Sequence, residues 1–172
     1  NDFSIMKKYK MKETGNVQLT GVAVGERISS GKVRVLKDIS EFKQFNEGEI
    51  LVTSMTTPDW EPIMKKSSGI ITDKGGRTCH AAIVAREIGI NAIVGTSNGS
   101  TKILDDSEVT MNCAEGETGK IYEGKLDFEI EEYEINTNKK LPVTLMLNVA
   151  SPEVAFSASL LLLWLIFISA SD

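Results

Sequence analysis

The sequence predicts a mixed α/β domain with some parallel strand pairing, followed by the opening of a second unit. Three observations carry this. Short β-type runs are punctuated by glycine-rich turns. Two helical stretches fall between those runs rather than after them. The 172 residues hold one ordinary domain with some length to spare.

Taken in order, residues 1–16 are polar and Lys-rich, lack an apolar signal-like core, and read as an N-terminal linker. Val17–Gly25 and Lys32–Leu36 flank Ser29-Ser30-Gly31 and read as a strand pair. Ile50–Thr53 is a third strand. Thr57-Pro58-Asp59 opens a helix expected over Pro58–Lys66, with Thr as cap, Pro at the first position and Asp facing the positive dipole end. Gly69–Thr72 is a strand, and after Gly75-Gly76 a helix fits Thr78–Ile88, stopped by Gly89. Ala81, Ala82, Val84, Ala85 and Ile88 give that helix its buried side. Ile90–Val94 is an apolar strand, and Glu108–Cys113 with Lys120–Tyr122 bracket Glu115–Gly119 as a hairpin.

Charge divides the chain. Residues 1–100 carry a net +3 and residues 101–172 a net −8. The acidic run Glu123–Glu134 and the polar stretch after it mark residues 125–140 as a solvated linker, closing a domain at 17–124. Leu141–Val149 reads as a buried strand and Ser151-Pro152-Glu153 as a helix start. Nine apolar residues follow at Leu160–Ile168, too few for the roughly 20 needed to span a bilayer. Residues 141–172 are therefore expected to be the truncated start of a further domain, with an apolar tail that reads as buried or non-native.

Composition excludes several functions. A net charge of −5 argues against a general nucleic-acid binder. Cys79 and Cys113 lack zinc or redox spacing and read as free thiols in a reducing cytoplasm. The single histidine rules out any two-His metal site, so histidine chemistry must use His80.

His80 lies in the most informative stretch, Gly69–Arg86, which reads as strand, glycine loop and helix. Glycines let backbone approach a ligand closely, and a helix start offers unpaired N–H groups and a positive dipole end. Phosphate suits such a place. Arg77, Thr78 and Arg86 add donors to those of Gly75 and Gly76. The helix start disfavours imidazolium, and a neutral ring nitrogen is a nucleophile. The pattern suits a covalent phosphohistidine, set against a lone histidine that merely packs or faces solvent. Cys79 reads as packing, Asn98-Gly99-Ser100 as a chance glycosylation pattern, and Asp105-Asp106 as a turn opening rather than a metal site.

Gly75-Gly76-Arg77-Thr78-Cys79-His80-Ala81-Ala82-Ile83-Val84-Ala85-Arg86 closely resembles the phosphohistidine motif of the PEP-utilising enzymes. That family includes phosphoenolpyruvate synthase, pyruvate phosphate dikinase and enzyme I of the sugar phosphotransferase system. The resemblance covers roughly Thr20–Gly124. Gly89–Gly95 also matches, except that Asn91 stands where the family usually has Pro. Cys79, Thr53–Trp60, Cys113–Gly119 and Leu145–Phe156 resemble the synthase branch.

The resemblance implies a swivelling β/β/α phosphohistidine domain and the incomplete start of a (β/α)8 barrel. It implies that His80 is catalytic, carrying a phosphoryl group from ATP at an ATP-grasp domain to pyruvate at the barrel, giving AMP, phosphoenolpyruvate and phosphate. It further implies ATP and Mg²⁺ bound by those other domains and none by this chain, which alone should not turn over. Thr78 matches a threonine modified by a regulatory kinase/phosphorylase in relatives. A cytoplasmic location without nucleic-acid or membrane partners is expected. A dikinase-type domain, another phosphotransferase of the family and a stand-alone phosphocarrier remain as alternatives.

Overall fold

The computed structural model describes residues 3–136. Within them, seven strands close into a barrel: β2 (Val17–Val24), β3 (Ile28–Val35), β4 (Ile50–Thr53), β5 (Gly69–Thr72), β6 (Asn91–Val94), β7 (Glu108–Asn112) and β8 (Thr118–Glu123). Around the barrel the order is β2-β6-β5-β4-β3-β7-β8, with β8 returning to β2. The steps β3–β4–β5–β6 are parallel, and the other four pairings are antiparallel.

Strands β4, β5 and β6 are buried at every position and largely apolar, because both of their faces are covered. Ile50, Val52, Ile71 and Ile93 point into the barrel and pack with Leu19, Val33, Val109, Met111 and Ile121. The alternate residues Leu51, Ile70, Ala92 and Val94 point outward, beneath α1 (Glu61–Met64) and α2 (His80–Ile88). Ala81, Ala82, Val84 and Ala85 of α2 complete this second layer, as their helical spacing predicts. The barrel interior is narrow where it closes. Gly21 and Gly119 face each other across β2 and β8. A Cβ on either would stand within 2.8 Å of the Ile93 side chain.

Several elements depart from expectation. Ser29-Ser30-Gly31 is not a turn; it lies inside β3 and pairs with Met111, Thr110 and Val109 of β7. The turn is Gly25–Arg27, with Gly25 at φ +90°, and β2 and β3 do not pair. A ladder partner for every residue of the serine stretch outweighs its turn-like composition. The helix expected over Pro58–Lys66 is split into a 3-10 turn at Pro58–Trp60 and a single α-turn at α1, where Pro62 supplies no N–H to a continuous helix. The short α3 (Gly99–Lys102) was not expected.

The two stretches expected as linkers are paired over part of their length. β1 (Phe3–Met11) and β9 (Phe128–Asn136) form a separate two-stranded sheet. The Lys-rich start and the acidic run are complementary halves of that ribbon: Lys7 pairs with Glu132 at 3.0 Å and Lys12 with Glu129 at 3.6 Å. Tyr9 and Phe128 add a tilted ring contact at 6.2 Å. The truncated barrel start expected at 141–172 lies outside the described residues.

Candidate functional site

Parallel β4, β5 and β6 end on the same side of the barrel, and the site is built from the segments that leave them. This is where open parallel sheets place their ligands, outside the carboxyl ends of the strands. The pairing continues past the strand ends: Asp73 N donates to Thr53 O at 3.2 Å, Lys74 N to Ser54 O at 3.0 Å, Thr96 N to Thr72 O at 3.1 Å and Ser97 N to Asp73 O at 2.9 Å. The three exits are thereby stitched into one rim. Asp73 binds the backbone N–H and hydroxyl of Ser100, tying the β5 exit to α3.

The glycine loop follows β5. Gly75 sits at φ +116°, and a Cβ there would stand 2.7 Å from Cys79 Sγ. Both facts require glycine. The Gly75 carbonyl in turn crowds Gly95, where a Cβ would meet it at 2.7 Å. Gly76 O accepts from Cys79 N at 3.1 Å. Helix α2 begins immediately after Cys79, and no side chain caps its first turn. At its other end Gly89, in the left-handed conformation at φ 73°, donates to the last carbonyls.

His80 opens α2 and is about one quarter exposed. Its Nδ1 lies 2.9 Å from Thr56 Oγ1, which comes from the β4 exit. Its Nε2 is shielded, has no hydrogen-bond partner, and lies 3.8 Å from Glu61 Oε1 at the start of α1. Of the expected anion-binding side chains, Arg77 pairs with Glu117 at 2.7 Å. Arg86 Nη1 donates to the Arg77 carbonyl at 2.7 Å, fastening the loop to the helix. Thr78 is exposed. Cys79 is half-buried against the outer apolar layer.

Thr56 and Glu61 were missed from the sequence as site residues, although both fall in the quoted Thr53–Trp60 segment or just after it. The signal that could have found them is the parallel pairing of β4 and β5, which aligns the two exits.

Other expected positions have structural partners. Arg34 binds Asp105 at 3.2 Å and Asp106 at 3.3 Å, and Asp106 takes a positive φ of 67° in the turn. Asn91, in place of proline, is buried at the start of β6, and its Nδ2 donates to Arg27 O at 2.8 Å. It therefore holds the Gly25–Arg27 turn. Cys113 is buried, and burial pushes its thiol up to about 12. Among the described residues no cluster of three or more His, Cys, Asp or Glu could hold a metal ion. No described helix is long and apolar enough to cross a membrane.

Residues 45–116 match the family model of the PEP-utilising enzyme mobile domain. The phosphoenolpyruvate synthase of Aquifex aeolicus is 52% identical over 158 residues, covering 89% of this chain and 18% of the synthase. That of Escherichia coli is 47% identical over 152 residues, covering 88% of this chain and 19% of the synthase. The chain thus spans about a fifth of the length of the curated relatives it matches. An NMR structure of enzyme I is 31% identical, covers 46% of this chain and 33% of its own, and overlays at a TM-score of 0.39. With matches across most of its length and through the glycine loop and His80 helix, the chain belongs to the PEP-utilising enzyme family and carries that family's mobile domain.

Proposed function

We propose that this chain is the phosphocarrier of a phosphoenolpyruvate synthase, with His80 Nε2 as the atom that carries the group. The observation that supports this best is the asymmetric seat of the ring. Nδ1 is held by the Thr56 hydroxyl at 2.9 Å, whereas Nε2 has no hydrogen-bond partner. In the tautomer with its proton on Nδ1, donated to Thr56 Oγ1, Nε2 holds a free lone pair. The uncapped first turn of α2 points N–H groups to the same end of the helix, where they favour an anionic group.

The chemistry then balances without a proton leaving the reacting nitrogen. The Nε2 lone pair attacks the β-phosphorus of ATP, the bond to the α-phosphate oxygen breaks, and AMP departs with that electron pair. Hydrolysis of the terminal phosphate leaves a phosphoryl group on Nε2. Pyruvate gives a methyl proton to a base of the barrel domain, its enolate oxygen takes the phosphoryl group, and the N–P electrons return to the ring. ATP and Mg²⁺ would be held by an ATP-grasp domain and pyruvate by a barrel domain, and not by the described residues. Arg77, Thr78 and Arg86, with Gly75 and Gly76, shape the loop beside the phosphoryl group. Phosphorylation of the exposed Thr78 would add a charge of about −2 two residues from His80 and block transfer.

The test is transfer in trans. The chain is mixed with the ATP-grasp portion of a synthase and ATP labelled at the β-phosphate. Acid-labile, base-stable label on the chain is expected, with complete loss in His80→Ala. Equal labelling of His80→Ala overturns the proposal.

A further inference from the structure

Glu61 stands beside the nitrogen that would carry a phosphoryl group on His80. Its Oε1 lies 3.8 Å from Nε2, and Nε2 is shielded from solvent without a hydrogen bond. The shielded nitrogen is the one left over once Thr56 has engaged Nδ1 at 2.9 Å. A phosphorus bonded to Nε2, with its oxygens, occupies space next to that carboxylate, and the two groups carry the same charge. The same carboxylate also reaches Lys65: Glu61 Oε2 is 3.6 Å from Lys65 Nζ one turn along, and the Glu61 side chain is 41% exposed, so Lys65 can retain the carboxylate when it leaves Nε2.

We propose that Glu61 is a displaceable cover and positioning residue for His80. In the resting arrangement its carboxylate, bridged between Nε2 and Lys65, closes Nε2 to small anionic phosphoryl donors, and it moves away from Nε2 on its Lys65 contact when a donor site takes its place. This rests on the carrier reading for its biological meaning, but the cover itself concerns only the reactivity of one ring nitrogen. Among the described residues, the charged groups at that nitrogen are Glu61 and, through it, Lys65. The role of Glu61 is to limit who reaches Nε2; it neither forms nor breaks a bond.

Two reagents on the full chain separate charge from bulk, and the single histidine makes both signals unambiguous. Phosphoramidate is an anionic donor: the Nε2 lone pair takes its phosphoryl group, the P–N bond breaks, and ammonia leaves with a proton from water. Diethyl pyrocarbonate is neutral and acylates imidazole, read by its ultraviolet absorbance.

Glu61→Gln keeps the bulk and removes the charge. It should speed phosphoramidate labelling about fivefold or more, as expected from a like charge at this distance. It should leave the diethyl pyrocarbonate rate within about twofold, because the cover remains. Glu61→Ala should speed both reagents. Thr56 and Lys65 are unchanged in these variants, and far-ultraviolet circular dichroism verifies the fold. Unchanged rates with both reagents in both variants overturn the cover. A Glu61→Gln variant that speeds both reagents alike overturns the charge-based selectivity. The carrier reading fails separately, in the ATP assay, if His80→Ala labels as well as the native chain.

Discussion

Arg34 and His80 both face carboxylates, and they are held in opposite ways. Arg34 sits at the edge of the barrel with all three of its nitrogens engaged: two bonds to Glu49 at 3.0 and 3.2 Å, one to Asp105 at 3.2 Å and one to Asp106 at 3.3 Å. Glu49 is only 7% exposed and is completed by the backbone and side chain of Asn46. His80 has one firm bond, one carboxylate at 3.8 Å, and one nitrogen with no partner. The first arrangement is saturated and fixes β3 to the β4 entry. The second leaves a reactive atom under a removable group. Buried polar groups are ordinarily paired, so an unpaired ring nitrogen beside a partly exposed carboxylate fits the proposed carrier atom.

The largest effect is expected at Arg34. Arg34→Met leaves Glu49 buried without its cation, and the loss should be about 3 kcal/mol, read from denaturant unfolding. His80 reactivity toward diethyl pyrocarbonate should not change. Arg34→Met combined with Glu49→Leu should recover much of the loss, because the stranded charge is gone. If Arg34→Met costs under about 0.5 kcal/mol, the network is a surface decoration and not a clamp.

The same network carries an acid dependence. Burial pushes the Glu49 carboxyl up, but the bonds from Arg34 and Asn46 outweigh it and hold Glu49 below its ordinary 4.5. Its contribution to stability is therefore complete above pH 4.5 and is lost as pH falls through the lower, folded value. Unfolding free energy measured from pH 7 downward should decline below about pH 4.5. The Glu49→Gln variant should lose part of that decline. An identical acid limb in both proteins would mean that Glu49 titrates alike folded and unfolded.

At the His80 end the backbone is the constraint. Gly75→Ala forces a side chain into φ +116° and places its Cβ 2.7 Å from Cys79 Sγ. The expected cost is about 2 kcal/mol. Cys79→Ala in the same chain should return only the steric share, since the φ penalty persists. Full recovery would locate the strain in the sulfur contact and not in the loop.

What the sequence made legible follows the same divide. Strands β4, β5 and β6 and helix α2 were readable because Ile50–Thr53, Gly69–Thr72, Asn91–Val94 and His80–Ile88 each carry a local signal of composition or period. His80 was readable because it lies beside its own glycines. The closed barrel was not, because closure depends on β8 meeting β2 about 100 residues apart, a pairing no local pattern encodes. Thr56 and Glu61 were missed for the same reason, standing 24 and 19 residues before His80 on a separate strand exit. The ribbon of β1 and β9 was hidden in two stretches that look solvated when read apart and complementary when paired.

The smallest effect tests the contrast most sharply. Thr56→Val removes the hydroxyl that holds Nδ1, at a stability cost of about 1 kcal/mol for one hydrogen bond. If His80 were seated like Arg34, that loss would be the whole consequence. Because the ring has only this one firm bond, the proton should redistribute between its two nitrogens, and the ¹⁵N shifts of the imidazole should move. Phosphoramidate labelling should fall several-fold in Thr56→Val, since a smaller share of rings presents a lone pair at Nε2, and recover in Thr56→Ser. A Thr56→Val protein with native ring shifts and native labelling would place Thr56 among the packing residues. It would also remove the asymmetry between Nδ1 and Nε2 on which the assignment of the carrier atom rests.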